Sequence, residues 1–199
     1  GRIDPGDYQL AETLAPADAG DAAARIAAIR ETIEEAGLPV GLAEMPSPEV
    51  IAQMRRALHA GQPFDAALRA AGARLDLGAL VPFARWRPAY RHMRIFDTRF
   101  YLAQLPANAP CASVDQTENV RLTWASAQAV LDEADAGRMS IIFPTRRNLE
   151  RLAQFPSFEA TVAHARVTPQ RVVTPWAATR AREQWLSIPQ HPRYPVAAD

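Results

Sequence analysis

Three features of the sequence predict a mixed α/β fold. Residues 20–37 form an alanine-rich helical pattern closed by a glycine. Residues 94–103 are a bulky, β-branched run suited to a strand, and residues 118–173 alternate further helical patterns with short strand-like stretches. With 199 residues, 48% of them hydrophobic, the chain is long enough to bury a sizeable core in one domain.

Residues 1–7 carry two glycines and a proline, which predicts a loop. The helix over 20–37 follows, with Asp21 as its expected N-terminal cap and Gly37 as its stop. Ser47 is expected to cap a helix running to His59, with Pro48 at the tolerated first position, and a third short helix should end near Gly72. These two helices read as a helical insertion covering about residues 47–80. Residues 82–88, holding Pro82 and Pro88, are expected to form an irregular link into the strand at 94–103. A loop should span 105–113 and a second strand 118–124. Helices are expected at 126–136, 144–154 and 157–165, then a short strand at Val172 and Val173 and an extended, proline-bearing tail.

Formal charge is zero, with 22 basic and 22 acidic side chains, so no net field steers the chain towards nucleic acid or an anionic membrane. All the basic residues are arginines, which excludes a lysine Schiff base or lysine nucleophile. The arginine and alanine bias points to a GC-rich bacterial genome. Cys111 is the only cysteine, so an internal disulfide and a cysteine-only zinc site are excluded, and a cytoplasmic location is expected. No apolar run reaches the roughly 18 residues needed to span a bilayer.

The chemistry concentrates in the helix over 20–37. At about 100° per residue, Glu31, Glu34 and Glu35 fall in one narrow sector, while Ile26, Ile29 and Ile33 lie on the opposite side. The helix therefore has an apolar face to bury and an acidic face to present to a cleft. Like charges at this spacing destabilise an isolated helix by roughly 0.2–0.5 kcal/mol per pair. A hard divalent cation such as Mg²⁺ or Mn²⁺ would compensate, because such ions prefer carboxylate oxygens. Arg30 could orient one of the glutamates. A solvated acidic face is the bland alternative.

The order Arg30, Glu31, Thr32, Ile33, Glu34, Glu35, Ala36, Gly37, Leu38 resembles the helix half of the Nudix box. The loop half of that box is a glycine followed after five residues by glutamate. Here Gly1 is followed after five residues by Asp7, a shorter acid. Residues 8–29 then separate Asp7 from Arg30 where the standard box has seven residues, an insertion of 15. An interrupted box is similar to that of the Nudix subgroup containing the peroxisomal coenzyme A diphosphatase. Further likeness lies in the stretch 94–103, in Asp115 and Glu118 ahead of Trp124, and in Phe143, Pro144 and Thr145 before a helix with Leu149 and Leu152.

The resemblance implies a single Nudix domain over residues 1–199, an α/β/α sandwich with a mixed sheet and an added helical insertion, the strands that precede the box being missing from this chain. On that count the chain made alone is expected to fold poorly. The metal ligands implied are Glu31, Glu34 and Glu35 on Mg²⁺ or Mn²⁺. Arg30 would hold the glutamates in register, and Glu31 or the more distant Glu118 would be the base. Arg94 and Arg99 are candidate substrate-phosphate contacts, since guanidinium groups bind phosphate bidentately. The activity implied is hydrolysis of a diphosphate bond in a nucleoside diphosphate linked to another moiety, with coenzyme A or an acyl derivative as the subgroup's substrate. A nucleotide sugar is a second candidate. The partner expected is this small molecule, not nucleic acid or a membrane, and a homodimer is compatible with the family. The alternative is a Nudix-fold binding or regulatory module without hydrolase activity.

The four histidines, His59, His92, His164 and His191, are scattered without metal-ligand spacing, which argues against catalysis. Trp86, Trp124, Trp176 and Trp185 are expected to be buried in a core or interface, and Cys111 to be inert.

Overall fold

The computed structural model describes residues 2–87, 97–114, 122–180 and 183–188, with the backbone alone for 177–180 and 183–186. The chain divides into two compact units, residues 1–80 with 103–123 and residues 81–102 with 124–199.

Helices dominate the first unit. Helix α1 (Pro5–Leu14) begins inside the stretch expected to be a loop. Pro5 sits in the first turn, where a missing N–H costs nothing, and the N–H of Asp4 donates to the Asp7 carboxylate at 2.9 Å. Residues that read as turn formers thus start a helix. Helix α2 (Ala19–Ala36) is capped by Asp18, which accepts the N–H of Asp21 at 3.4 Å, so the expected cap Asp21 lies in the first turn. The helix stops at Gly37, whose φ of +66° is the left-handed conformation that glycine adopts without a Cβ penalty. Ile26, Ile29 and Ile33 are fully buried, as the helical period requires. Helix α3 (Pro48–His59), capped by the Ser47 hydroxyl, and helix α4 (Phe64–Ala71), ending at Gly72, match the expected pair. Helix α1 packs on α2 and α4, α2 on α3, and α3 on α4. Ile51, Met54, Leu58, Phe64 and Leu68 complete the apolar interior.

The second unit is built on a mixed sheet of order β2-β1-β3. Strand β1 (Val81–Trp86) pairs antiparallel with β2 (Thr98–Leu102) and parallel with β3 (Val172–Val173). The irregular link expected over 82–88 is therefore largely a strand. Its Pro82 is accommodated by a shift of register between Pro82 and Ala84, the kind of bulge at which a residue without an N–H is tolerated. Phe83, Trp86, Ala165, Val173 and Ile188 form the core, with Phe143 and Leu152 packed against it. The Trp86 indole N–H donates to Asn148 at 3.2 Å, and the buried Arg151 donates to the Phe83 carbonyl with its guanidinium 4.0 Å above the Phe83 ring. Helices α5 (Ala127–Asp135), α6 (Phe143–Leu152) and α7 (Phe158–Val167) lie where the sequence places them.

Residues 122–124 of the strand expected at 118–124 are irregular, and the rest of it lies outside the described residues. A hairpin of β4 (Trp176–Arg180) and β5 (Glu183–Ser187) follows β3, in a segment where no strand was expected, and the prolines of the expected extended tail, Pro189, Pro192 and Pro195, lie outside the described residues. Its Ala, Glu, Gln and Leu content is poor in strand signals, and pairing overrides it. Trp86 is buried as expected, whereas Trp124 and Trp176 are exposed on this chain. Among the described residues, no helix is long and apolar enough to cross a membrane.

Candidate functional site

Arg30 and Asp7 anchor the site. The Asp7 carboxylate is 2% exposed and accepts from Nε of Arg30 at 3.3 Å and from Nη2 at 3.1 Å. Residues 8–29, the interruption of the box-like pattern, fold as the rest of α1, a tight turn and the first turns of α2. The chain doubles back and returns Asp7 to Arg30 across 23 positions of sequence. The shorter acid at position 7 is thus a buried ion-pair partner. Burial disfavours the Arg30 charge, but Asp7, by hydrogen bond and by charge, then Glu31 and Asp4, outweigh it and raise its pKa above the ordinary arginine value.

Glu31, Glu34 and Glu35 line one cavity of about 670 Å³ together with Arg30, Asp7 and Asp4. The opposite wall is the end of α3 and the turn into α4, with His59, Gln62, Pro63 and Asp65. Hydrogen bonding to Arg69 holds the Asp65 carboxyl below its usual range. The wall residues therefore set several carboxylates against one guanidinium, Arg30. Its Nη1 reaches Glu31 Oε1 at 2.8 Å and Glu34 Oε2 at 3.6 Å, and its Nη2 donates to the Arg2 carbonyl at 2.8 Å. Among the described residues, no group of three or more His, Cys, Asp or Glu side chains is gathered closely enough to hold a metal ion. Glu31 and Glu34 turn instead to Arg30, which balances part of their mutual repulsion.

Two residues of α3 reach this site without having been singled out as functional in the sequence. His59 Nδ1 stands 3.9 Å from Glu34 Oε1, so an imidazole set aside for lack of ligand spacing faces the acidic wall. Arg55, one turn earlier on α3, donates to the carbonyls of Glu34 and Glu35 at 2.8 and 2.7 Å. The spacing of four between Arg55 and His59 puts both on one helix face, but which neighbour that face meets is a matter of tertiary packing. Of the remaining candidates, Glu118 and Arg94 lie outside the described residues. Arg99 stands on β2 of the second unit, opposite Arg85 in the register. There the Asp97 carboxyl is held below its usual range by its hydrogen bond to Arg85, with the charges of Arg85, Arg99 and Arg87 adding to the effect. Cys111 is exposed.

A mixed α/β chain with an acidic helix face turned to a cavity, over a buried arginine and aspartate, is the class of protein that these features define. A solved structure, the crystal structure of a NUDIX hydrolase from Alicyclobacillus acidocaldarius, is similar to it. The two are 26% identical, with a TM-score of 0.68 over 82% of this chain and 78% of that one. This likeness matches the fold to a Nudix fold and supports a place for the chain in the Nudix superfamily. No protein-family model matches the chain, and no curated protein matches it.

Proposed function

We propose that the chain hydrolyses a diphosphate bond in a nucleoside diphosphate linked to another moiety, with Mg²⁺ or Mn²⁺ held by Glu31, Glu34 and Glu35. The observation that carries this reading is that those three side chains line one cavity. Hard carboxylate oxygens on a partly open wall fit a hard divalent cation in kind, and an anionic substrate needs such a charge to enter an acidic cleft. When bound, the ion would neutralise phosphate oxygens and make a nearby water more acidic.

In this reading the protein's own residues divide the work. Asp7 fixes the Arg30 guanidinium from below, and Arg30 sets the orientation of Glu31 and Glu34. Glu31, or Glu118, takes a proton from the attacking water as its oxygen bonds to one phosphorus and the bridging P–O bond breaks. The leaving phosphate departs with that bridging oxygen. His59 and Gln62 supply hydrogen-bonding groups on the facing wall for the rest of the substrate. Coenzyme A or an acyl derivative is the substrate that the subgroup resemblance favours.

A metal-dependent screen of nucleoside diphosphate derivatives, with products identified by mass, tests the proposal beside Glu35→Gln. The expected loss is at least about a hundredfold, roughly 2.7 kcal/mol of barrier. Undiminished turnover by Glu35→Gln rejects the assigned site. A folded protein that turns over no substrate with either metal indicates a binding or regulatory module instead.

A further inference from the structure

We infer that Arg55 is a positioning residue for the glutamates of α2, acting through the backbone of Glu34 and Glu35; the inference rests on the metal-binding reading proposed above. An α-helix leaves its last carbonyls without helical partners, and such ends fray. Here each has an acceptor role. The Ile33 carbonyl takes the N–H of Gly37 at 2.9 Å, that of Glu34 takes Arg55 Nε at 2.8 Å, that of Glu35 takes Arg55 Nη2 at 2.7 Å, and that of Ala36 takes the N–H of Ser113 at 3.0 Å. The same guanidinium reaches Ser113 twice, with Nη1 on the hydroxyl at 2.6 Å and Nη2 on the carbonyl at 2.9 Å.

A single planar fork therefore ties the end of α2 to α3 and to the segment carrying Ser113. Two of the three candidate ligands sit on the residues whose carbonyls it holds. Glu31, Glu34 and Glu35 share a sector only while helical dihedrals persist through residue 35, since their alignment comes from offsets of three and four positions. Release of the last turn would swing Glu34 and Glu35 away from Glu31 with no change to any carboxylate. A lysine cannot replace the fork, because one ammonium on a flexible stem does not present two parallel N–H groups.

Binding of Mn²⁺ by the full chain, followed by electron paramagnetic resonance of the free ion, tests this beside thermal melts. Arg55→Met is expected to weaken Mn²⁺ binding about tenfold, in the range found for groups that orient metal ligands, and Arg55→Lys about threefold. Leu68→Ala, in the buried face of α4, controls for stability alone: it should lower the melting temperature and leave the Mn²⁺ constant within about twofold. Should Arg55→Met fail to fold, Arg55→Lys carries the test. Wild-type Mn²⁺ affinity in a folded Arg55 variant, or an equal shift in Leu68→Ala, overturns the inference. A wild-type chain that takes up no Mn²⁺ instead removes the metal reading, and this inference with it.

Discussion

Asp7 and Arg30 meet as a buried ion pair, Oδ2 to Nη2 at 3.1 Å, although 23 positions separate them and two helices must fold back to join them. Their contact makes α1 and α2 one unit and sets the cation under the glutamates.

Removing one partner of such a pair strands the other. Asp7→Ala is expected to cost about 3 kcal/mol, the lower end for breaking a buried pair, because Arg30 keeps Glu31 and the Arg2 carbonyl. Urea unfolding of the full chain measures this, and a loss under about 1 kcal/mol would contradict the anchoring role.

If the glutamates gather a divalent ion, folding and binding are linked. Mn²⁺ at about 100 times its dissociation constant should add about 2.7 kcal/mol of stability, reversed by chelation. The double variant Glu34→Gln, Glu35→Gln should gain nothing. A gain preserved in that variant would place the ion elsewhere.

Two glycines with positive φ should respond differently to alanine. A Cβ on Gly41 (φ +69°) would lie 2.5 Å from Ile29 Cδ1 and 2.8 Å from Leu80 Cδ1, whereas one on Gly61 (φ +77°) meets nothing within 4 Å. Gly41→Ala should therefore cost about 3 kcal/mol, strain and overpacking together, and Gly61→Ala about 1 kcal/mol from strain alone. Equal losses in calorimetry would show that the clash at Gly41 is relieved by repacking.

His164, against Arg151 and Phe155, has its pKa lowered below 6.5 by burial, with the Arg151 charge adding to it. The unfolded chain then binds a proton at a pH where the folded chain does not. The contribution is fully present above about pH 6.5 and is lost as pH falls through the folded pKa. Between pH 6.5 and that value, unfolding free energy should fall more steeply in the wild type than in His164→Gln. Parallel curves would mean that His164 is protonated alike in both states.

The helices were legible wherever cap and period agreed. Ser47, Ser126 and Ser157 each accept an N–H in the first turn of the helix they begin, and Gly37 and Gly72 close theirs in the left-handed conformation. Strands were read less well. Pro82 argued against β1, and the hairpin of β4 and β5 carries few β-branched residues, because strand formation depends on what a segment pairs with.

The sequence by itself determined that Glu31, Glu34 and Glu35 share one face of a helix whose other face is apolar, since a regular period converts spacing directly into direction. Tertiary structure alone decided what that face meets. It returned Asp7 to Arg30, set His59 across the cavity, and seated the Arg55 guanidinium on the last carbonyls of α2. Contacts between residues distant along the chain depend on how helices pack, and no local pattern encodes the partner.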